Sequence, residues 1–186
     1  MRIIGGEFKG RKFYPPADKW PTRPTTDFAK EALFNILNNT FDYEEMKVLD
    51  LFGGTGSHCY EFVSRGCKDV TYVDKFVSCI KFVKQTVATL KIESAIQIIQ
   101  ADVFKFLEFH NTQYDYIFAD PPYDLPTIDL IPQLILSKNL LKEDGWFVME
   151  HSATNSYKHL PELFDVRTYG KTCLSFFNAR TSNSQD

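Results

Sequence analysis

The tetrapeptide Asp120-Pro121-Pro122-Tyr123 holds the residue types best suited to chemistry on a base. Two consecutive prolines fix their backbone angles and carry no amide hydrogens, so the Asp120 carboxylate and the Pro121 carbonyl can present acceptors in one rigid geometry. An exocyclic amine has two hydrogens to donate. Holding both turns the nitrogen lone pair toward an electrophile, while the Tyr123 ring offers a surface on which a base can stack. The reaction this suits is direct displacement at a methyl carbon, with no covalent enzyme intermediate. A neutral amine can lose its proton after attack, and the Asp120 carboxylate can stabilise the charge that builds on nitrogen before then. Taken alone, the same string is also a strand ending in a proline turn with a capping aspartate.

A second group of residues lies upstream. Asp50-Leu51-Phe52-Gly53-Gly54-Thr55-Gly56-Ser57 follows an apolar run, and Gly54 and Gly56 let the backbone approach a ligand and free amides at the next helix start. A tight strand-to-helix turn with no ligand would use the same glycines. Asp74 stands 20 positions after Gly54, where nucleotide-binding folds keep an acid for the ribose hydroxyls, and Asp102 follows a third apolar run. Position 59, where the dinucleotide fingerprint has its third glycine, is Cys59. Asp50 sits poorly beside a pyrophosphate and well beside a sulfonium and an ammonium. The reading is therefore S-adenosylmethionine rather than NAD.

The elements that must position these groups alternate. Short apolar runs at 48–52, 70–73, 96–99, 116–119 and 147–149 read as buried strands, with helices at 57–65, 76–91, 103–109 and 127–137 between them. Such alternation predicts an α/β fold with a doubly wound, mostly parallel, Rossmann-like sheet covered on both faces. Ligands in such sheets bind at the carboxyl ends of the strands, where both motifs fall. A closing antiparallel hairpin is expected from 164–169 and 173–178 about Gly170-Lys171. Thr25-Thr26-Asp27 offers N-cap residues for an amphipathic helix running to about Asn39. The glycines and prolines before it predict an arm or hairpin over residues 1–26, so the expected organisation is arm, methyltransferase domain over 27–180, and a disordered tail over 181–186.

Composition adds bounds. The 186 residues, 44% hydrophobic and 24% charged, suit one folded domain with an appendage. Four cysteines without a CxxC pair or a nearby histidine at ligand spacing suggest neither a zinc site nor a disulfide framework, so no metal is expected and a reducing, cytoplasmic compartment fits. No apolar run has signal-peptide or membrane-spanning character. The net charge of −3 hides a basic start, with seven basic against three acidic side chains in the first 30 residues. A basic arm on an acidic body is what a local polyanion-binding face looks like, although a merely solvated arm has the same composition.

Across nearly its whole length the chain resembles the RsmD-type methyltransferases, which modify the N2 amine of a guanine in 16S ribosomal RNA. The resemblance rests on Arg2-Ile3-Ile4-Gly5-Gly6 with Gly10-Arg11, Arg23-Pro24-Thr25-Thr26-Asp27, Glu31, Leu33-Phe34-Asn35, Asp50, Phe52, Gly54, Gly56, Ser64-Arg65-Gly66 and the DPPY string. The amino-terminal signatures carry most weight, because the other two motifs also resemble adenine-N6 DNA methyltransferases. The resemblance implies a methyltransferase sheet with an antiparallel strand near one edge. It implies Asp120, Pro121, Pro122 and Tyr123 at the reacting amine, and Asp50, Phe52, Gly53, Gly54, Gly56, Asp74, Asp102 and Val103 around S-adenosylmethionine, with Asp74 on the ribose and Asp102 on the adenine amine. It further implies that Arg2, Lys9, Arg11 and Arg23 approach RNA phosphates, that a flipped guanine enters beside Tyr123, and that the partner is 16S ribosomal RNA in the small subunit. A monomer is expected. Phe28 departs from the family, which often has arginine there, and Lys30 is the candidate to make up the charge. His58 and Tyr60, in Ser57-His58-Cys59-Tyr60, are bulkier than the pattern expects after the glycine loop, which leaves the local cofactor contacts open. An adenine-N6 methyltransferase and a non-catalytic RNA- or cofactor-binding module are the competing readings.

Overall fold

Near-continuous apolar runs become strands covered on both faces. These are β1 (Lys47–Leu51), β2 (Asp69–Asp74), β3 (Ile96–Gln100) and β4 (Tyr114–Ala119), with β1, β2 and β4 almost wholly buried. The computed structural model describes residues 1–16 and 27–179. The expected cap residues Thr25 and Thr26, the candidate RNA contact Arg23 and the tail over 181–186 lie outside them. Three longer strands, β5 (Leu141–Ser152), β6 (Leu163–Tyr169) and β7 (Thr172–Asn178), complete a seven-stranded sheet ordered β3-β2-β1-β4-β5-β7-β6. β3, β2, β1, β4 and β5 run parallel, while β7 is antiparallel to both β5 and β6. The order reverses direction between β1 and β4, so the crevice beyond their carboxyl ends is the place for a ligand.

The helices are α1 (Asp27–Leu37), α2 (Ser57–Ser64), α3 (Val77–Leu90), α4 (Val103–Phe109) and α5 (Leu130–Ser137). Side-chain alternation along the strands divides the core in two. Val48, Tyr72, Tyr116, Phe118, Val148 and Phe176 meet α1, α2 and α3 on one face. Leu51, Val73, Ile117, Ala119, Phe147 and Phe177 meet α4 and α5 on the other. α1 holds its place through Ala29, Leu33, Phe34 and Leu37, one buried stripe at helical spacing.

Two boundaries differ from the sequence expectation. β5 starts at Leu141, six residues early, because Tyr114 pairs with Leu141 before a register shift leads into Tyr116 opposite Trp146. Lys142, Glu143, Asp144 and Gly145 interrupt the apolar run and Asp144 takes a left-handed φ of 62°, but the strand continues through them. α5 starts at Leu130, three residues late, and carries Pro132 in its first turn, where a missing amide costs no helical bond.

Residues 1–16 do not hang free. The Arg2–Lys12 bridge, with Ile3 N donating to Arg11 O at 3.0 Å and Phe13 N to Met1 O at 3.1 Å, folds them into a short antiparallel loop. Ile3 is buried and Phe13 lies 5.8 Å from the Tyr60 ring, which turns Arg2 and Lys12 outward. The loop is tied to α2: Ser64 accepts from Glu7 N through its carbonyl at 2.7 Å and from Phe8 N through Oγ at 2.9 Å. Gly6 has φ 73°, and a Cβ there would collide with the Ser64 carbonyl, so only glycine fits. Beneath it, fully buried Glu61 accepts from Ile4 N at 2.7 Å, pairs with Lys30 Nζ at 3.0 Å, and takes a hydrogen bond from Arg65.

Candidate active site

Adjacent strands deliver both motifs side by side. β1 and β4 are in register with Leu51 opposite Ala119, and Asp120 N donates to Leu51 O at 3.3 Å. The glycine loop and the DPPY segment therefore leave the sheet at the same level. Asp120 is half-buried, Pro121 is buried, and Pro122 and Tyr123 are exposed.

The loop turns sharply. Phe52, Gly54 and Gly56 all have left-handed φ, at 58°, 52° and 72°, and Gly56 leads directly into α2. Gly53 N donates to Val73 O at 3.1 Å and Gly56 N to Gly53 O at 2.8 Å, while the Tyr72 hydroxyl donates to Gly54 O at 2.8 Å. A Cβ on Gly53 would collide with the Tyr72 ring and lie 3.2 Å from an Asp50 oxygen. The loop is thus wrapped closely around buried acids and the Tyr72 and Tyr60 rings, with no room for side chains at Gly53 or Gly56.

Those acids are Asp50 and Asp74, 1% and 3% exposed. Asp74 accepts from Phe76 N at 2.7 Å and from Gly54 N at 3.0 Å, which fixes it under the loop with lone pairs remaining on both oxygens. Burial raises its carboxyl above the ordinary range despite these bonds. Asp50 accepts from the Cys59 thiol at 3.0 Å, and burial together with the Asp74 charge pushes its carboxyl up to about 7. Two carboxylates enclosed this way repel, and a cationic ligand relieves that repulsion. The donor set therefore fits a sulfonium-bearing amino acid better than a pyrophosphate. Asp102 accepts from Phe104 N at 3.0 Å and Lys105 N at 3.3 Å through one oxygen, capping α4, and Val103 is buried in that helix's first turn.

Several side chains sit elsewhere than the sequence suggests. His58 faces the core, stacked on Phe118 at 3.8 Å and 6°, with Nε2 3.2 Å from the Tyr116 hydroxyl. Burial, and the Lys30 and Arg65 charges after it, lower its pKa well below the usual histidine range. His58 and the buried Tyr60 thus build the seat of α2, and Tyr60 also lies against the cofactor loop, where a Cβ on Gly56 would come within 2.7 Å of its hydroxyl. Lys30 is 3% exposed and donates to Arg2 O and Ser57 Oγ at 2.6 and 3.0 Å, so it cannot replace a charge on an RNA-facing surface.

Arg2, Lys9 and Arg11 are exposed on the amino-terminal loop as expected of phosphate contacts, with Arg2 Nε 3.6 Å from Asp27. Lys12, across the bridge from Arg2, shares that surface although no motif marks it.

Two further contacts have no clear sequence signal. The Tyr123 hydroxyl donates to Glu150 Oε1 at 2.9 Å and lies 3.1 Å from Thr172 Oγ1, so β5 and β7 hold its ring upright beside Asp120. Burial, chiefly, raises its pKa, and the phenol stays protonated. The thiol at position 59 is legible only as a missing glycine, whereas its facing Asp50 follows from its place in the first turn of α2. Among the described residues, no cluster of histidine, cysteine and acids could hold a metal, and no helix is long and apolar enough to cross a membrane.

Comparison with known proteins extends over the whole of this architecture. The family described as conserved hypothetical protein 95 matches residues 1–178. The Bacillus subtilis protein named "Putative rRNA methyltransferase YlbH" is 34% identical over 97% of this chain and 100% of its own length. Ribosomal RNA small subunit methyltransferase D of Escherichia coli K12 is 33% identical over 81% of this chain and 71% of its own. Among solved structures, a hypothetical protein of Thermus thermophilus superposes with a TM-score of 0.82 at 25% identity, covering 96% of this chain and 99% of that one.

Proposed function

From the premise that this chain belongs to the RsmD-type methyltransferase family, we propose that it methylates the exocyclic N2 amine of a guanine in 16S ribosomal RNA within the small subunit. The observation that carries this reading is the β1–β4 register, which sets the acid-backed glycine loop directly beside Asp120. S-adenosylmethionine supplies an electrophilic methyl group on a sulfonium. Asp50, Phe52, Gly53, Gly54 and Gly56 hold its amino-acid end, Asp74 its ribose, and Asp102 and Val103 flank its adenine.

The protein's own residues do the rest. Asp120 and the Pro121 carbonyl accept the two amine hydrogens and so aim the lone pair along the attack line. Asp120 stabilises the positive charge growing on nitrogen. Pro122 keeps the turn rigid, and Tyr123, fixed by Glu150 and Thr172, is the wall against which the flipped base stacks. Arg2, Lys9, Arg11 and Arg23 meet RNA phosphates from the arm over residues 1–26, and the domain over 27–180 works as a cytoplasmic monomer.

The deciding experiment is transfer of labelled methyl from S-adenosylmethionine to unmodified small subunits, free 16S RNA and duplex DNA, followed by nucleoside analysis. N2-methylguanosine is expected. N6-methyladenosine would keep the reaction class and overturn the base, and no label with cofactor bound would leave a binding module.

The Asp50 pair makes cofactor binding pH-dependent. With its carboxyl raised to about 7, the folded protein keeps a proton that the unfolded chain releases near pH 4, so stability falls as pH rises through that window and levels off above it. A cation prefers the ionised acid, and its affinity moves the other way. Calorimetric titration should show S-adenosylmethionine binding about fivefold tighter at pH 7 than at pH 6, a window in which the ligand's own ammonium stays charged. Asp50→Asn should flatten that dependence, and an equally steep slope in the variant would refute the assignment.

A further inference from the structure

Phe28 is 72% exposed in the first turn of α1, where a ring gains nothing from burial. It is not isolated. Its ring meets Tyr169 edge to face, with centroids 5.8 Å apart and planes at 79°. Tyr169 ends β6 and pairs with Thr172, which starts β7 after the Gly170-Lys171 turn, and Thr172 Oγ1 lies 3.1 Å from the Tyr123 hydroxyl. One turn therefore joins two aromatic surfaces: Tyr123, 40% exposed beside Asp120, and the Tyr169–Phe28 pair further out along the same rim. Cations stand close in the fold to residues flanking both rings. Lys171 is exposed in the turn, and Arg2 sits 3.6 Å from Asp27, the residue before Phe28.

An exposed ring with basic residues nearby suits an unpaired nucleotide, whose base stacks on the ring while its phosphates meet the charges. A protein partner or a second copy of this chain would use the apolar face but not the paired cations. The outer pair is also continuous with the wall beside Asp120, so the nucleotide it holds is a near neighbour of the methylated one.

We infer that Phe28, backed by Tyr169, is a substrate-positioning residue that stacks the base of a nucleotide flanking the target guanine. This rests on the guanine-methylation reading above. The stacked base anchors the strand next to the flipped nucleotide and so adds to the binding of the substrate without touching the reacting atoms. The contribution belongs to RNA binding and orientation. The Phe28 ring packs on Tyr169, so its loss should leave cofactor affinity unchanged.

The test compares wild type, Phe28→Ala and Phe28→Trp in methyl transfer to small subunits, with S-adenosylmethionine affinity measured alongside. Loss of one base stack should raise the KM for subunits about tenfold in Phe28→Ala, with kcat within about twofold and cofactor affinity unchanged, and Phe28→Trp should restore the KM. Subunits reconstituted with single abasic positions within two nucleotides of the target add a second arm. One such position should raise the wild-type KM by a similar factor and add nothing further to Phe28→Ala. An unchanged KM in Phe28→Ala while wild type remains active overturns the stacking role and leaves the function standing. So does a KM effect that tracks a change in oligomeric state. A wild type that labels no RNA while binding cofactor overturns the function, and the stacking role with it.

Discussion

Asp120→Asn is expected to slow methyl transfer about 10²- to 10³-fold while S-adenosylmethionine binding stays within about twofold of wild type. Asparagine matches aspartate in size and keeps one carbonyl acceptor, so the backbone bond from residue 120 to Leu51 O and the register behind it persist. On the proposed mechanism, what goes is the negative charge facing an amine that becomes cationic as the methyl arrives. A uniform weakening of substrate binding would raise KM alone, whereas loss of a charge used only late in the reaction lowers kcat. Single-turnover rates together with a calorimetric cofactor titration separate the two. Turnover near the wild-type rate would remove Asp120 from the chemistry.

The largest expected effect on stability comes from Glu61→Ala. Glu61 is fully buried between Lys30 and Arg65, and it also accepts the Ile4 amide. Arg65 lies over the Phe34 ring at 4.4 Å and cannot swing into water without leaving a gap. Truncation strands two cations in the interior, a situation that costs about 3–5 kcal/mol. For a chain of this size that corresponds to a fall in Tm of roughly 10 °C. The amino-terminal loop loses its anchor as well, so limited proteolysis should cut within residues 1–16 faster than in wild type. Glu61→Gln keeps an acceptor for Ile4 and should fall between the two. A Tm within about 2 °C of wild type for Glu61→Ala would show that the network contributes little.

Much of this molecule is legible in its sequence because parallel strands covered on both faces read as apolar runs. The run Val48-Leu49 before Asp50 and the run Tyr116 to Ala119 could hardly be anything else, and each ends in the motif it delivers. β5 reads short because Lys142 to Gly145 carry charge and a turn-like glycine, properties that a strand tolerates where it enters the sheet past a register shift. The side chains around α2 mislead for another reason. Position in a motif predicts that a residue is near the loop, but the helix's rotation decides which way it points, and that rotation aims His58 at Phe118. Lys30 looks available for RNA because nothing local pairs with it; its partner Glu61 lies 31 positions away and meets it only through packing of α1 on α2. The Glu61–Arg65 contact, four residues apart, is the part of that network a sequence can reveal. Tyr123's tethers lie on β5 and β7, and no spacing rule connects them.

The seam between β1 and β4 has a bearing on how the chain reaches its native state. It joins Val48 to Tyr116 and Leu51 to Ala119, so it closes a far longer loop than the tight β6–β7 turn does. Contacts of high contact order form late, because the entropy of closing the loop must be met before the pairing compensates for it. β1, β2 and β3 with their helices can assemble locally, and the glycine loop can take shape among them. Asp120 reaches that loop only when β4 docks, and α1, which can already pack on α2 through Phe34–Phe62 and Lys30–Glu61, completes its core contacts when β4, β5 and β7 are in place. A partly folded chain is therefore expected to bind cofactor before it can use it, and refolding followed by cofactor binding should run ahead of refolding followed by methyl transfer.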